Sequence, residues 1–294
     1  MSNYIFMNDE YVREEDAKVS IYDHGFLFGD GVFEGIRAYN GNVFRLKEHI
    51  DRLFDSAKSL LMPVPYTAEE IEKIVEETLK KNNLETAYIR IILTRGEGGG
   101  FSLDPFICKS PQFIVITVPF EAFSERFYRS GIEIITVPTR RNRSDVLSPQ
   151  VKSLNYLNNI MVKIEAITAG VQDGLMLNTE GYVAEGTTQN IFYLKKGVFY
   201  TPPCSQGALE GITRNAVMEL AHKLGFQVVE RSVTRHDIYT ADEVFMTGTA
   251  AEIIAVVKVD GRVIGDGKPG VQTKQLYEKY KLFVLGNEIE AVVN

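Results

Sequence analysis

The sequence breaks at Val118-Pro119. The run from Gln112 to Val118 has a strand's character and stops there, because Pro119 has no N–H to give a neighbouring strand. A polar stretch to Arg126 precedes the next apolar run, Ile132 to Val137. At 294 residues the chain is long for one core and comfortable for two. The break therefore predicts a smaller domain over 1–118, a linker over 119–127 and a larger domain over 128–294.

Both halves mix helix and strand patterns. Tyr4 to Val12 reads as a hairpin around Asn8-Asp9. His49 to Leu61 repeats apolar residues at a helical period, and Thr67 to Asn82 opens with Thr67 and Glu70 spaced as a capping box. Ala87 to Thr94 and Gln112 to Val118 read as strands. Beyond the break, Leu154 to Thr168 and Ile212 to Leu224 are helical in pattern. Leu175 to Thr201 reads as consecutive strands turning at Glu180-Gly181 and Lys196-Gly197, and Val244 to Val259 is strand-like around Gly248. The class is α+β, with mixed or antiparallel sheets rather than a βαβ series.

Composition excludes several functions. Lys plus Arg number 32 against 39 Asp plus Glu, a net charge of −7 that repels a nucleic-acid backbone. The densest basic run, Thr139 to Arg143, is followed at once by Asp145. It reads more readily as a solvated loop than as a nucleic-acid arm, and a loop near an anionic cofactor or substrate is the third reading. Two cysteines and four scattered histidines form neither a disulfide scaffold nor a metal-ligand pattern. No signal-peptide pattern opens the chain and no apolar run reaches membrane-spanning length, so a cytoplasmic protein without membrane partners is expected.

Four segments could carry chemistry, and each has a plainer reading. Ala208 to Arg214 leads into a helix start, whose unpaired N–H groups suit a phosphate. Alone, it is more readily an ordinary glycine-preceded helix. Met246 to Ala251 is a small-residue turn that offers N–H groups and hydroxyls to an anion, or a plain bend. Lys152 lies between Val151 and an apolar helix start; desolvation frees a lysine's lone pair for Schiff-base chemistry, although a lysine there can also simply snorkel. Glu185 sits in a strand-like run beside Gly186, either as an inward charge needing a cationic partner or as a surface turn residue.

Taken together and in order, these segments resemble the fold-type IV pyridoxal-phosphate aminotransferases, most of all the branched-chain amino acid aminotransferases. The resemblance runs from about Tyr4 to near Lys281 and rests on Gly29 to Arg37, His49 to Leu53, Gln150 to Tyr156, Glu185 to Asn190, Gly211 to Arg214 and Gly248 to Glu252. It implies a two-domain enzyme with the active site between the domains, and a homodimer in which a partner loop closes the pocket. It implies pyridoxal 5′-phosphate as cofactor, with amino acids and 2-oxo acids as substrates. Lys152 would form the internal aldimine and shuttle the proton, and Glu185 would keep the pyridine nitrogen protonated. Arg52, Thr213, Thr249 and the N–H groups of Ile212 and Thr213 would hold the phosphate. Leu209, Gly211 and Gly248 complete the expected cofactor cradle, and Tyr156 would reach the phenolic oxygen. Tyr88, Arg90, Thr249 and Ala250 are expected at the substrate's carboxylates, with Phe28 and Phe33 lining its side-chain pocket. Where Phe28 stands, relatives often carry tyrosine.

The expected reaction is transamination between L-leucine, L-isoleucine or L-valine and 2-oxoglutarate. D-amino acid aminotransferases share the scaffold, as does aminodeoxychorismate lyase more distantly. The D-type enzymes typically carry an Arg-x-His pair after the strand, whereas Arg95 here is followed by Gly96-Glu97-Gly98. A non-catalytic amino-acid-binding protein is the reading of another class; it would be expected to lose Lys152 or Glu185, and both are present.

Overall fold

The computed structural model describes residues 3–120 and 123–287. It divides into two compact units. The first runs through Phe120 and also takes in Val151–Asn155. The second holds the remaining described residues, 123–150 and 156–287.

The first unit contains β1 (Tyr4–Met7), β2 (Glu10–Arg13), α1 (His24–Phe28), β3 (Gly31–Tyr39), β4 (Asn42–Val43), α2 (Leu46–Ser59), α3 (Ala68–Lys81), β5 (Ala87–Thr94) and β6 (Gln112–Val118). Its strands form an antiparallel sheet in the order β2-β1-β6-β5-β3-β4. Asn8 and Asp9 both take positive φ, 46° and 67°, the two-residue hairpin geometry that small polar side chains tolerate. The Thr67–Glu70 box closes as expected: Glu70 N–H donates to Thr67 Oγ1 (3.2 Å) and Thr67 N–H to Glu70 Oε2 (2.7 Å).

Strand periodicity sorts this sheet into two faces. Val32, Ile36 and Ala38 of β3 and Ile89, Ile91 and Leu93 of β5 join one core with Ile50, Leu53 and Ala57 of α2 and Ile71, Val75 and Leu79 of α3. Burying a side chain such as Leu53 or Ile71 contributes about 1.5–3 kcal/mol. The opposite face carries Phe33, Gly35 and Arg37 of β3, with Arg90 and Tyr88 of β5 directly across from Gly35 and Arg37.

The second unit contains α4 (Glu125–Ser130), β7 (Ile132–Thr136), α5 (Leu157–Thr168), β8 (Asp173–Leu177), β9 (Val183–Glu185), β10 (Asn190–Lys195), β11 (Val198–Thr201), α6 (Ile212–Lys223), β12 (Gln227–Glu230), α7 (Arg235–Tyr239), β13 (Glu243–Gly248), β14 (Glu252–Val259), β15 (Arg262–Val263) and α8 (Val271–Phe283). Its mixed sheet runs β12-β11-β10-β13-β14-β7-β8-β9, with β15 beside β14. The parallel pairs are β11–β12, β14–β7 and β7–β8. Two of them are joined through a helix, α5 between β7 and β8 and α6 between β11 and β12, as a parallel pair requires.

Two segments differ from expectation. The helix read from Leu154 begins only at Leu157, because Leu154 N–H is engaged by Gly31 O (2.9 Å). For the same reason Val151–Asn155, read as part of the larger domain, packs with the first unit. Among the described residues no helix is long and apolar enough to cross a membrane, and no acid, histidine or cysteine cluster could hold a metal ion.

Candidate active site

Lys152 lies on the open edge of β3. Phe33 N–H donates to Lys152 O (3.0 Å), and Val32 and Ser153 form an antiparallel bridge. The Lys152 N–H donates to Ser56 Oγ of α2 (3.2 Å). Its backbone is thus tied to strand and helix, and its Nζ stands 4.6 Å from the centre of the Phe33 ring. The Arg90 guanidinium lies 4.3 Å from the centre of that ring and 5.6 Å from that of Tyr88. The Tyr88 ring in turn lies 4.9 Å from Phe120. Lys152, Phe33, Arg90 and Tyr88 thus form one row, which the period of two placed correctly for the β5 pair. Phe28 ends α1, edge-on to His24 at 5.1 Å, and Asn155 Nδ2 donates to the next carbonyl, Gly29 O (2.9 Å).

Arg52 projects from α2 and is held by a fully buried carboxylate. Its Nε and one terminal nitrogen donate to the two oxygens of Glu34, each at 2.8 Å. His49 Nδ1 lies 2.7 Å from Glu34 Oε2. Burial alone pushes the Glu34 carboxyl up, but the charge and fork of Arg52 and the bond from His49 outweigh it and bring the pKa down to about 2. Burial, with the nearby positive charges of Arg52 and Lys152, holds His49 below the usual histidine range despite its bond to Glu34.

In the second unit Glu185 closes β9 with its carboxylate turned inward. Arg141 Nε lies 2.9 Å from Glu185 Oε1, and Leu209 N–H donates to Oε2 (3.0 Å). Arg141 also donates to Gly207 O (3.2 Å) and Asn158 Oδ1 (3.1 Å). The basic run is therefore split: Arg143 pairs with exposed Asp145, while Arg141 is a buried counter-ion. A carboxylate so placed can offer its charge to a protonated ring nitrogen.

The segment that bonds Glu185 continues into the start of α6. Asn190 Nδ2 donates to Leu209 O (2.9 Å), and a Cβ at Gly211 would overlap Asn190 Oδ1. Gly211 caps α6 without a side-chain bond, so no side chain of its own covers the helix's first N–H groups, where Ile212 and Thr213 begin the first turn. Thr213 Oγ1 and Thr249 Oγ1 converge to 3.5 Å, joining that turn to the bend after Gly248 that also carries Ala250. Tyr156 caps α5 and lines a cavity of about 250 Å³ with Asn159 and Thr187–Gln189. The adjoining loop is fixed by Asn159 Nδ2 donating to Thr187 O (2.6 Å) and by the buried Asp173, which accepts from Thr187 N–H (3.1 Å).

This set fits a phosphorylated pyridine at both charged ends. The buried carboxylate of Glu185 suits its ring nitrogen, and a helix start with two hydroxyls suits its phosphate. Sequence reasoning gave no role to Glu34, Arg141 or Asn190. The signal for Glu34 was a charge at an inward position of β3, between the core residues Val32 and Ile36.

Comparison with known proteins agrees. Residues 31–259 match the family described as Amino-transferase class IV. A putative branched-chain-amino-acid aminotransferase of Methanocaldococcus jannaschii is 54% identical over 277 residues, covering 94% of this chain and 95% of that protein. The solved branched-chain amino acid aminotransferase of Escherichia coli superposes with a TM-score of 0.94 at 39% identity, covering 98% of this chain and 97% of the other. The T.th. branched-chain amino acid aminotransferase, complexed with N-(5′-phosphopyridoxyl)-L-glutamate, gives 0.93 at 37% identity, covering 98% and 96%. The chain therefore belongs to the class IV aminotransferases, within the branched-chain-amino-acid aminotransferase family.

Proposed function

We propose that the chain exchanges amino groups between L-leucine, L-isoleucine or L-valine and 2-oxoglutarate, using pyridoxal 5′-phosphate. The observation that carries this reading is the row on one sheet face: the Lys152 amine beside Phe33, with Arg90 over the same ring and Tyr88 next along. It combines an amine for the chemistry, an apolar surface for a branched side chain and polar groups for carboxylates. The names of the relatives support the same substrate class.

Bound pyridoxal phosphate supplies an electron sink. Lys152 would hold the cofactor, and its amine would take and return the proton at the substrate's α-carbon. Glu185, fixed by Arg141 and Leu209, holds the proton on the ring nitrogen. Arg52, Thr213, Thr249 and the N–H groups of Ile212 and Thr213 bind phosphate, helped by the glycine backbone at Gly211 and Gly248. Tyr156 binds the phenolic oxygen. Tyr88 and the N–H groups of Thr249 and Ala250 take the substrate's α-carboxylate, Arg90 takes the second carboxylate of glutamate, and Phe28 and Phe33 contact the aliphatic side chain.

The protein acts in the cytoplasm as a homodimer. The outer face of α5 supports the dimer: Leu157, Ile160, Met161, Ile164 and Ile167 repeat at helical spacing and are all exposed. The test is the absorbance of the cofactor-loaded protein with L-leucine and, separately, D-alanine. Loss of the visible band with L-leucine alone is expected. Loss with D-alanine alone reassigns the chain to the D-amino acid type.

A further inference from the structure

Gly35 lies in the middle of β3, directly opposite Arg90, and is buried. Its φ is outside the left-handed region, so the backbone does not demand glycine there. A glycine inside a strand weakens it and commonly marks close approach by another group. That group is Tyr88. A Cβ built on Gly35 would overlap the Tyr88 hydroxyl oxygen and lie 2.9 Å from Cζ and 3.3 Å from Cε2. Tyr88 faces Arg37 across the ladder, so its side chain leans two residues along β3 to reach this gap. Phe120, 4.9 Å from the Tyr88 ring, occupies one side of that ring.

We propose that Gly35 is a positioning residue for the substrate's α-carboxylate: its missing side chain is the slot that seats the Tyr88 hydroxyl. The inference rests on the reading that Tyr88 binds that carboxylate. A methyl group at 35 moves the phenol rather than the strand, since the group in its way is the end of a side chain. The sheet, Lys152 and the cofactor's own contacts then stay in place while the carboxylate loses an aimed donor.

The experiment uses the cofactor-loaded protein and an unreactive branched acid, 4-methylpentanoate, whose binding is followed by the cofactor's absorbance. Gly35→Ala and Tyr88→Phe should each weaken the acid about ten-fold, the loss of one hydrogen bond to a charged group. The double variant should be no weaker than Tyr88→Phe alone, and cofactor affinity should be unchanged in all three. KM for L-leucine should rise more than kcat falls. Wild-type acid binding in Gly35→Ala, with Tyr88→Phe weakened, overturns the role of Gly35 and leaves that of Tyr88. Unchanged binding in Tyr88→Phe overturns the Tyr88 reading and the inference with it. If Gly35→Ala does not fold, the double variant decides. Removing the hydroxyl removes the closest overlap and leaves Cζ at 2.9 Å, the end of a side chain that can shift, so recovery supports the interlock and failure of both overturns it.

Discussion

Arg141 and Glu185 form an ion pair at 2.9 Å with side chains only 9% and 6% exposed. Removing one member of such a pair strands a buried charge, which costs about 3–5 kcal/mol. Arg141→Met should therefore lower the stability of the cofactor-free protein by that order, measured by urea unfolding. Changing both, as Arg141→Met with Glu185→Gln, should restore most of the loss, because no charge is left unpaired.

Glu34 makes stability fall in acid. Its pKa in the folded protein, about 2, lies below the ordinary 4.5, so between those values the unfolded chain binds the extra proton. The contribution, about 3 kcal/mol, is fully present above pH 4.5 and is lost as pH falls toward 2. His49, whose pKa is also depressed, adds a loss that begins as pH falls below its ordinary value of 6.5. Unfolding free energies measured from pH 7 to 3 should fall in both windows. In Glu34→Gln the lower-window slope should shrink; an unaltered slope there would assign the acid sensitivity to other carboxylates.

Lys152→Ala should abolish transamination and the visible band of the bound cofactor, with the circular dichroism spectrum unchanged. Lys152 N–H and O hold the segment to Ser56 and Phe33, and alanine keeps both backbone groups. Turnover near the native rate without an added amine would remove Lys152 from the chemistry.

The outer face of α5 predicts an assembly. Ile164 is 51% exposed at the centre of the apolar stripe. Ile164→Asp puts a charge there, and burying it against a second copy is costly. Light scattering should show a dimer for the native chain and a monomer for the variant. A native monomer would rule out the dimer.

The sequence by itself determined what depends on neighbours a few residues away. The Thr67–Glu70 box, the Asn8-Asp9 turn, the helix after Gly211 and the shared face of Tyr88 and Arg90 all follow from local spacing, and all are present. Only the tertiary structure decided where those pieces met. The motif around Lys152 looked like a helix start because Leu154 carries apolar character into α5. Pairing with Gly31 and Phe33, far away in the chain, draws it to the edge of β3 instead. Arg141 sat in a run of charges that looked solvated, and its burial follows from a carboxylate on another strand. Glu34 is tolerated at the core side of its strand only because α2 brings Arg52 and His49 to it. Periodicity is a local property that a chain carries with it, whereas a buried charge or an edge pairing is stable only when its distant partner arrives.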